Sequence, residues 1–112
     1  MVEPRASRLD QVFGAVADPT RRAILVRLGR NPARISDIAK DFPISFNAVS
    51  KHLMVLERAG LVRRQIQGRE HVCTLNPQPL RQATAWMENV RSFWEARLDA
   101  LERHLTAKRS RE

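Results

Sequence analysis

The chain carries a single cysteine, Cys73, in 112 residues. One thiol cannot close a disulfide within the chain, and it cannot build a metal site from cysteines alone. Such sparing use of cysteine fits a reducing, intracellular setting. No apolar run approaches the ~18 residues that a membrane span needs. The opening residues, MVEPRASR, lack the apolar core of a secretory signal. A soluble cytoplasmic chain with no membrane partner is expected. Also missing are a glycine-rich phosphate loop, a Ser-His-acid constellation and a carboxylate pair at cleft spacing, so neither an enzyme nor a cofactor is expected. There is no internal repeat and no low-complexity tract. Acidic side chains are in short supply, 12 against 20 Lys and Arg, which leaves a net charge of +8 and a pI near 11.4. That surplus on one small domain predicts an anionic partner, nucleic acid first and an anionic membrane surface second.

Hydrophobic spacing and punctuation divide the chain. Residues 1–6 read as a flexible tail. Ser7 caps a first helix, with Asp10 three residues on as a weak capping box, and Leu9, Val12, Phe13 and Val16 mark one face. Asp18 and Pro19 open a second helix with Ile24, Leu25 and Leu28 as its apolar stripe, which Gly29 closes before Asn31-Pro32. A short third helix covers about 36–42, with Ile38, Ala39 and Phe42 inward. Ser45 caps a fourth helix, stapled by Ile44 and Val49 and ended by Gly60. Two β-rich runs, 61–66 and 70–75, flank Gln67-Gly68-Arg69 as a hairpin. A long helix follows over 79–105, with Leu80, Ala83, Met87, Val90, Trp94, Leu98, Leu101 and Leu105 at steps of three and four. Residues 106–112 read as a flexible basic tail. The expected fold is mainly α with a small β-hairpin (α+β), in the order ααααββα. One domain spans 7–105, and its layout is that of a winged helix-turn-helix.

The fourth helix carries the chemistry. At roughly 100° per residue, Phe46, Val49, Leu53 and Leu56 cluster and are expected in the core. Asn47, Lys51, Met54 and Arg58 project the other way, bordered by Ser50 and Ala48. A helix in the major groove needs such a face. Asn can bond adenine through two hydrogen bonds, Lys can reach guanine or phosphate, Ser can bond either, and Ala can approach a thymine methyl. A polar face on an amphipathic helix is often merely solvated, but the next element is a basic hairpin. Arg63, Arg64 and Arg69 flank its Gly68 tip, and arginine suits phosphates and the minor groove. His52 sits between the core and groove faces and could serve either. His71 is expected to be structural, and His104 to sit at the outer edge of the last helix.

Three segments resemble the ArsR-type winged-helix repressors. FGAVADPTRRAILVRL is similar to the family's N-terminal signature. ISFNAVSKHLMVLERAGLV is similar to its recognition-helix segment, and QGREHVCTL to its wing tip and returning strand. The resemblance implies a homodimeric transcriptional repressor bound to double-stranded DNA at an operator, dimerised through the first and last helices. It places Ser45, Asn47, Ala48, Ser50, Lys51 and His52 in the DNA-facing segment, and Arg63, Arg64, Gly68 and Arg69 in the wing. Leu9, Val12, Phe13 and Val16, with Met87, Val90, Trp94, Leu98, Leu101 and Leu105, are the expected dimer residues. Metal-sensing members carry a Cys-x-Cys pair where this chain has ISDIAKDF, and the last helix offers only Asp99, Glu102 and His104. Metal is therefore not expected as the effector. Cys73 is expected as a small buried hydrophobe. FWEARLDALERHL resembles the branch without metal sites. Two rival readings are a protein-interaction module that reuses the fold without specific DNA binding, and a C-terminal helix laid on a membrane. The acids on that helix disfavour the second.

Overall fold

The structure, a computed structural model, describes residues 7–111. The expected 1–6 tail and residue 112 lie outside them. Helices α1 (Arg8–Val16) and α2 (Pro19–Arg30) are followed by a two-residue strand β1 (Ala33–Arg34) and helices α3 (Ile35–Lys40) and α4 (Phe46–Arg58). Strands β2 (Val62–Gln67) and β3 (Glu70–Leu75) form the hairpin, and α5 (Gln78–Ser110) completes the chain. The sheet is antiparallel in the order β1-β3-β2. This is the expected winged-helix layout with one addition, β1, which pairs Ala33 with Cys73 and Arg34 with Val72.

The helix ends follow local chemistry. Ser7 and Asp10 form a reciprocal capping box, and Asp18 accepts the Arg21 N–H at 2.9 Å while Pro19 fills the first helical position. That hydrogen bond, first among the causes, holds the Asp18 carboxyl below its ordinary value. The Ser45 hydroxyl accepts the Ala48 N–H at 3.1 Å. At the other end of α4, Gly60 takes φ 77°. Its N–H bonds the Glu57 carbonyl at 2.9 Å, and the Leu61 N–H bonds that of Leu56 at 3.0 Å. The pair is a Schellman stop, which needs a left-handed residue that glycine adopts without strain.

Two boundaries differ from expectation. Gly29 lies inside α2 rather than after it. The break comes where Pro32 forces Asn31 into extended backbone at φ −168°, ψ 161°. The last helix does not stop near residue 105 but continues through Ser110. Thr106, Ala107, Lys108 and Arg109 contain no glycine or proline to halt it.

The core lies under the sheet and between the first four helices. Ile24, Ile38, Val49, Leu53, Leu56, Leu61 and Cys73 are each 0% exposed. A fully buried aliphatic side chain contributes about 1.5–3 kcal/mol. Burial raises the Cys73 thiol above its ordinary value, as befits a packing residue. Among the described residues no helix is long and apolar enough to cross a membrane. The molecule measures 75 × 34 × 21 Å because α5 runs past the body that anchors its first turns. Pro79 and Ala83 are its buried residues.

Candidate nucleic-acid interface

Helix α4 turns Val49, Leu53 and Leu56 to the core, which aims Asn47, Lys51, Met54 and Arg58 outward. Asn47 and Lys51 are exposed, and neither makes a side-chain hydrogen bond to another described residue. Ala48 and Ser50 are half-buried at the borders of the same band. Ser45 is exposed, but its hydroxyl is occupied by the cap. His52 is 24% exposed, with Nδ1 3.9 Å from the Asp18 carboxylate. It packs against α2 rather than extending from the polar band.

The wing tip closes on the Gln67–Glu70 pair. Its two turn residues are Gly68, at φ 65°, and Arg69, whose φ is negative. Positive φ at the first central position only fits the tight hairpin turns that match strand twist. Arg63 and Arg69 are exposed and unpaired among the described residues. Arg64 is different. It pairs across β3 with buried Cys73 and so shares the inner face of the sheet. Its Nε donates to Glu57 Oε1 of α4 at 3.0 Å, its Nη2 contacts the same oxygen, and its Nη1 lies 3.5 Å from His71 Nδ1. Arg64 was expected to face DNA, but it is the tie between α4 and the wing. The Arg64 and Glu57 side chains are only 22% and 30% exposed, which places the pair between surface and buried regimes. Arg64→Ala is expected to cost roughly 1–2 kcal/mol, read as a lower urea midpoint with an unchanged slope.

A second tie joins the wing to α3. Arg34 donates to Asp37 at 2.9 Å and to Glu70 at 2.7 Å. The Arg34 contact, the largest influence, lowers the Asp37 carboxyl. Arg34 carries no motif signal. Neither do Arg21 and Arg22, which cap the carbonyls of Gly14, Ala15 and Val16 at the end of α1. Between α3, α4 and the wing lies a groove of about 260 Å³, with Ile35, Phe46, Ser50, Arg69 and His71 on its walls. Phe46 is 53% exposed there, against the expectation that it joins the core. It occupies the first helical position, past the end of the packed layer. Among the described residues no three of His, Cys, Asp and Glu come together as metal ligands.

The apolar stripe of α5 is open. Met87, Trp94, Leu98, Leu101 and Leu105 are 48–58% exposed, and Val90 is half-buried. On α1, Leu9, Phe13 and Val16 are half-buried against the core, with Phe13 edge-to-face on Trp86 at 5.5 Å. Val12, expected at the dimer seam, is instead 1% exposed inside its own subunit. Its position midway along α1 points it between α2 and α4.

A helix-turn-helix followed by a three-stranded wing, with an outward polar helix and a basic hairpin beside it, defines a winged-helix regulator. A "Helix-turn-helix domain" family model matches residues 16–65. The chain is 40% identical over 85 residues to the HTH-type transcriptional regulator Rv2034 of Mycobacterium tuberculosis, covering 76% of this chain and 77% of the relative. It is 36% identical over 81 residues to the transcriptional repressor SdpR of Bacillus subtilis, covering 72% and 90%. A solved ArsR-like transcriptional regulator from Rhodococcus sp. RHA1 superposes with TM-score 0.77 at 34% identity, over 86% of this chain and 91% of that one. The chain belongs to the ArsR-type family of helix-turn-helix transcriptional regulators.

Proposed function

We propose that the protein is a homodimeric, sequence-specific DNA-binding repressor. It acts in the cytoplasm on a pseudo-palindromic operator and performs no catalysis. The observation that carries this is the pairing of two unengaged polar surfaces. Asn47 and Lys51 project from α4, and Arg63 and Arg69 project from the wing, on a chain of net charge +8. A module that used the fold only to bind protein would have no need to leave both free.

Each subunit sets α4 into a major groove with its first turn leading, where the positive helix end also favours phosphates. Asn47 and Lys51 reach base edges, with Ser50 and Ala48 beside them; Arg63 and Arg69 grip the backbone on the wing side. Ser45, Gly68 and His52 support this arrangement by capping, turning and packing. Two subunits join through the open stripe of α5 with Leu9, Phe13 and Val16 of α1. A stripe this apolar on a protruding helix calls for a partner. A second copy satisfies it symmetrically. The half-sites then lie about one helical turn apart, roughly 34–36 Å. A subunit pair seated on a promoter blocks polymerase.

Selection from random duplex DNA by the purified protein tests the proposal. The expected product is an inverted repeat. A pool that gains no common sequence would favour the interaction-module reading instead.

A further inference from the structure

The exposed aromatic at the front of α4 has no structural reason to be apolar. Phe46 follows the Ser45 cap directly, so it stands on the first turn, the part of the helix that leads into the groove. It leaves its ring 53% exposed while its neighbours three and seven residues on, Val49 and Leu53, are both 0% exposed. Its flank is the one that faces the wing, since Phe46 and Ser50 wall the same groove as Arg69 and His71. Beneath it, Ile35 is 6% exposed and gives the ring an apolar backing. A half-exposed phenyl among hydrogen-bonding side chains lacks anything polar to offer a base edge. What it can do is exclude water from a methyl group, and in the major groove the C5 methyl of thymine is the one apolar group that distinguishes bases.

We propose that Phe46 is a specificity-determining residue that reads a thymine methyl on the wing side of each half-site. The inference rests on the proposed DNA-binding function and refines it. Asn47 and Lys51 read hydrogen-bonding edges near the middle of the helix footprint. Phe46 reads shape and apolarity at the border between helix and wing, one thymine per half-site.

The test uses the full chain and the duplex enriched by selection. Each thymine is replaced in turn by deoxyuridine, which deletes the methyl and leaves every hydrogen-bonding group in place. Affinity is followed by fluorescence anisotropy. Wild-type protein is expected to lose about fourfold at one thymine in each half-site, the effect of withdrawing one methyl-sized group from an apolar contact. Phe46→Ala is expected to bind the thymine and uracil duplexes alike at that position while still discriminating elsewhere. Phe46→Leu, which keeps an apolar side chain, is expected to retain part of the preference. Uniform wild-type affinity for all the deoxyuridine duplexes would overturn the inference, and that readout needs no variant to fold. So would a Phe46→Ala protein that keeps the full preference. Failure to enrich any duplex would overturn the DNA-binding reading, and this one with it.

Discussion

Trp94→Glu is expected to convert the protein from dimer to monomer at micromolar concentration. Trp94 is 57% exposed in the single subunit, on the outer half of α5, so the substitution removes nothing from the subunit's own core. In a symmetric pair each seam residue appears twice. A buried interface tryptophan is commonly worth about 2 kcal/mol or more, so two losses weaken association roughly a thousandfold before charge repulsion is added. Sedimentation velocity checks this: the wild type should run as a dimer and the variant as a monomer with unchanged helix content. A variant that sediments like wild type would remove Trp94 from the interface. Because operator binding depends on two linked readers, the variant should also lose specific affinity while keeping weak, salt-sensitive binding to any duplex.

The second large effect separates the helix from the wing. Asn47→Ala should cost about 1–3 kcal/mol on the selected sequence and little on unrelated DNA, because its two hydrogen bonds are made to a base edge. Arg69→Ala should weaken binding to every sequence and reduce the slope of log affinity against log salt by about one, the signature of a lost phosphate contact. Anisotropy titrations on selected and scrambled duplexes over a salt series measure both. If the two variants behaved alike, the division of labour between reader and wing would be wrong.

Much of the fold is legible from local signals. Ser7 with Asp10, Asp18 with Pro19, Ser45 and Gly60 each mark a helix end through chemistry confined to a few residues. The turn at Gly68 and the core stripe Val49, Leu53 and Leu56 are equally local. The misses concern contacts that spacing does not encode. Strand β1 exists because β3 returns to pair with it, some forty residues later in the chain. Arg64 looks like any wing arginine until the strand register places it opposite Cys73 and within reach of Glu57. Phe46 shares an angular position with Leu53 on the helical wheel, but the wheel carries no axial coordinate. The packed layer simply ends before the first turn. Val12 fails in the opposite sense: its face was right, but the surface it meets belongs to its own subunit. Gly29 reads as a stop, yet a Cβ there would only meet Leu75 at 3.9 Å, so nothing about the site requires glycine to end the helix.

The candidate site follows the same division. The outward band of Asn47 and Lys51 is a consequence of helical period and survives in the structure. The ties that hold the wing beside it, Arg64 to Glu57 and Arg34 to Asp37 and Glu70, are long-range and appear only once the chain is folded.

Changing the distance between the two half-sites of the selected duplex tests the central claim most directly. Inserting about five base pairs at its centre turns one half-site to the opposite side of the helix, half a turn away. A rigid two-fold pair of α4 helices should then fall to the affinity of a single half-site. Undiminished binding to the lengthened duplex would show that the subunits do not read successive major grooves together.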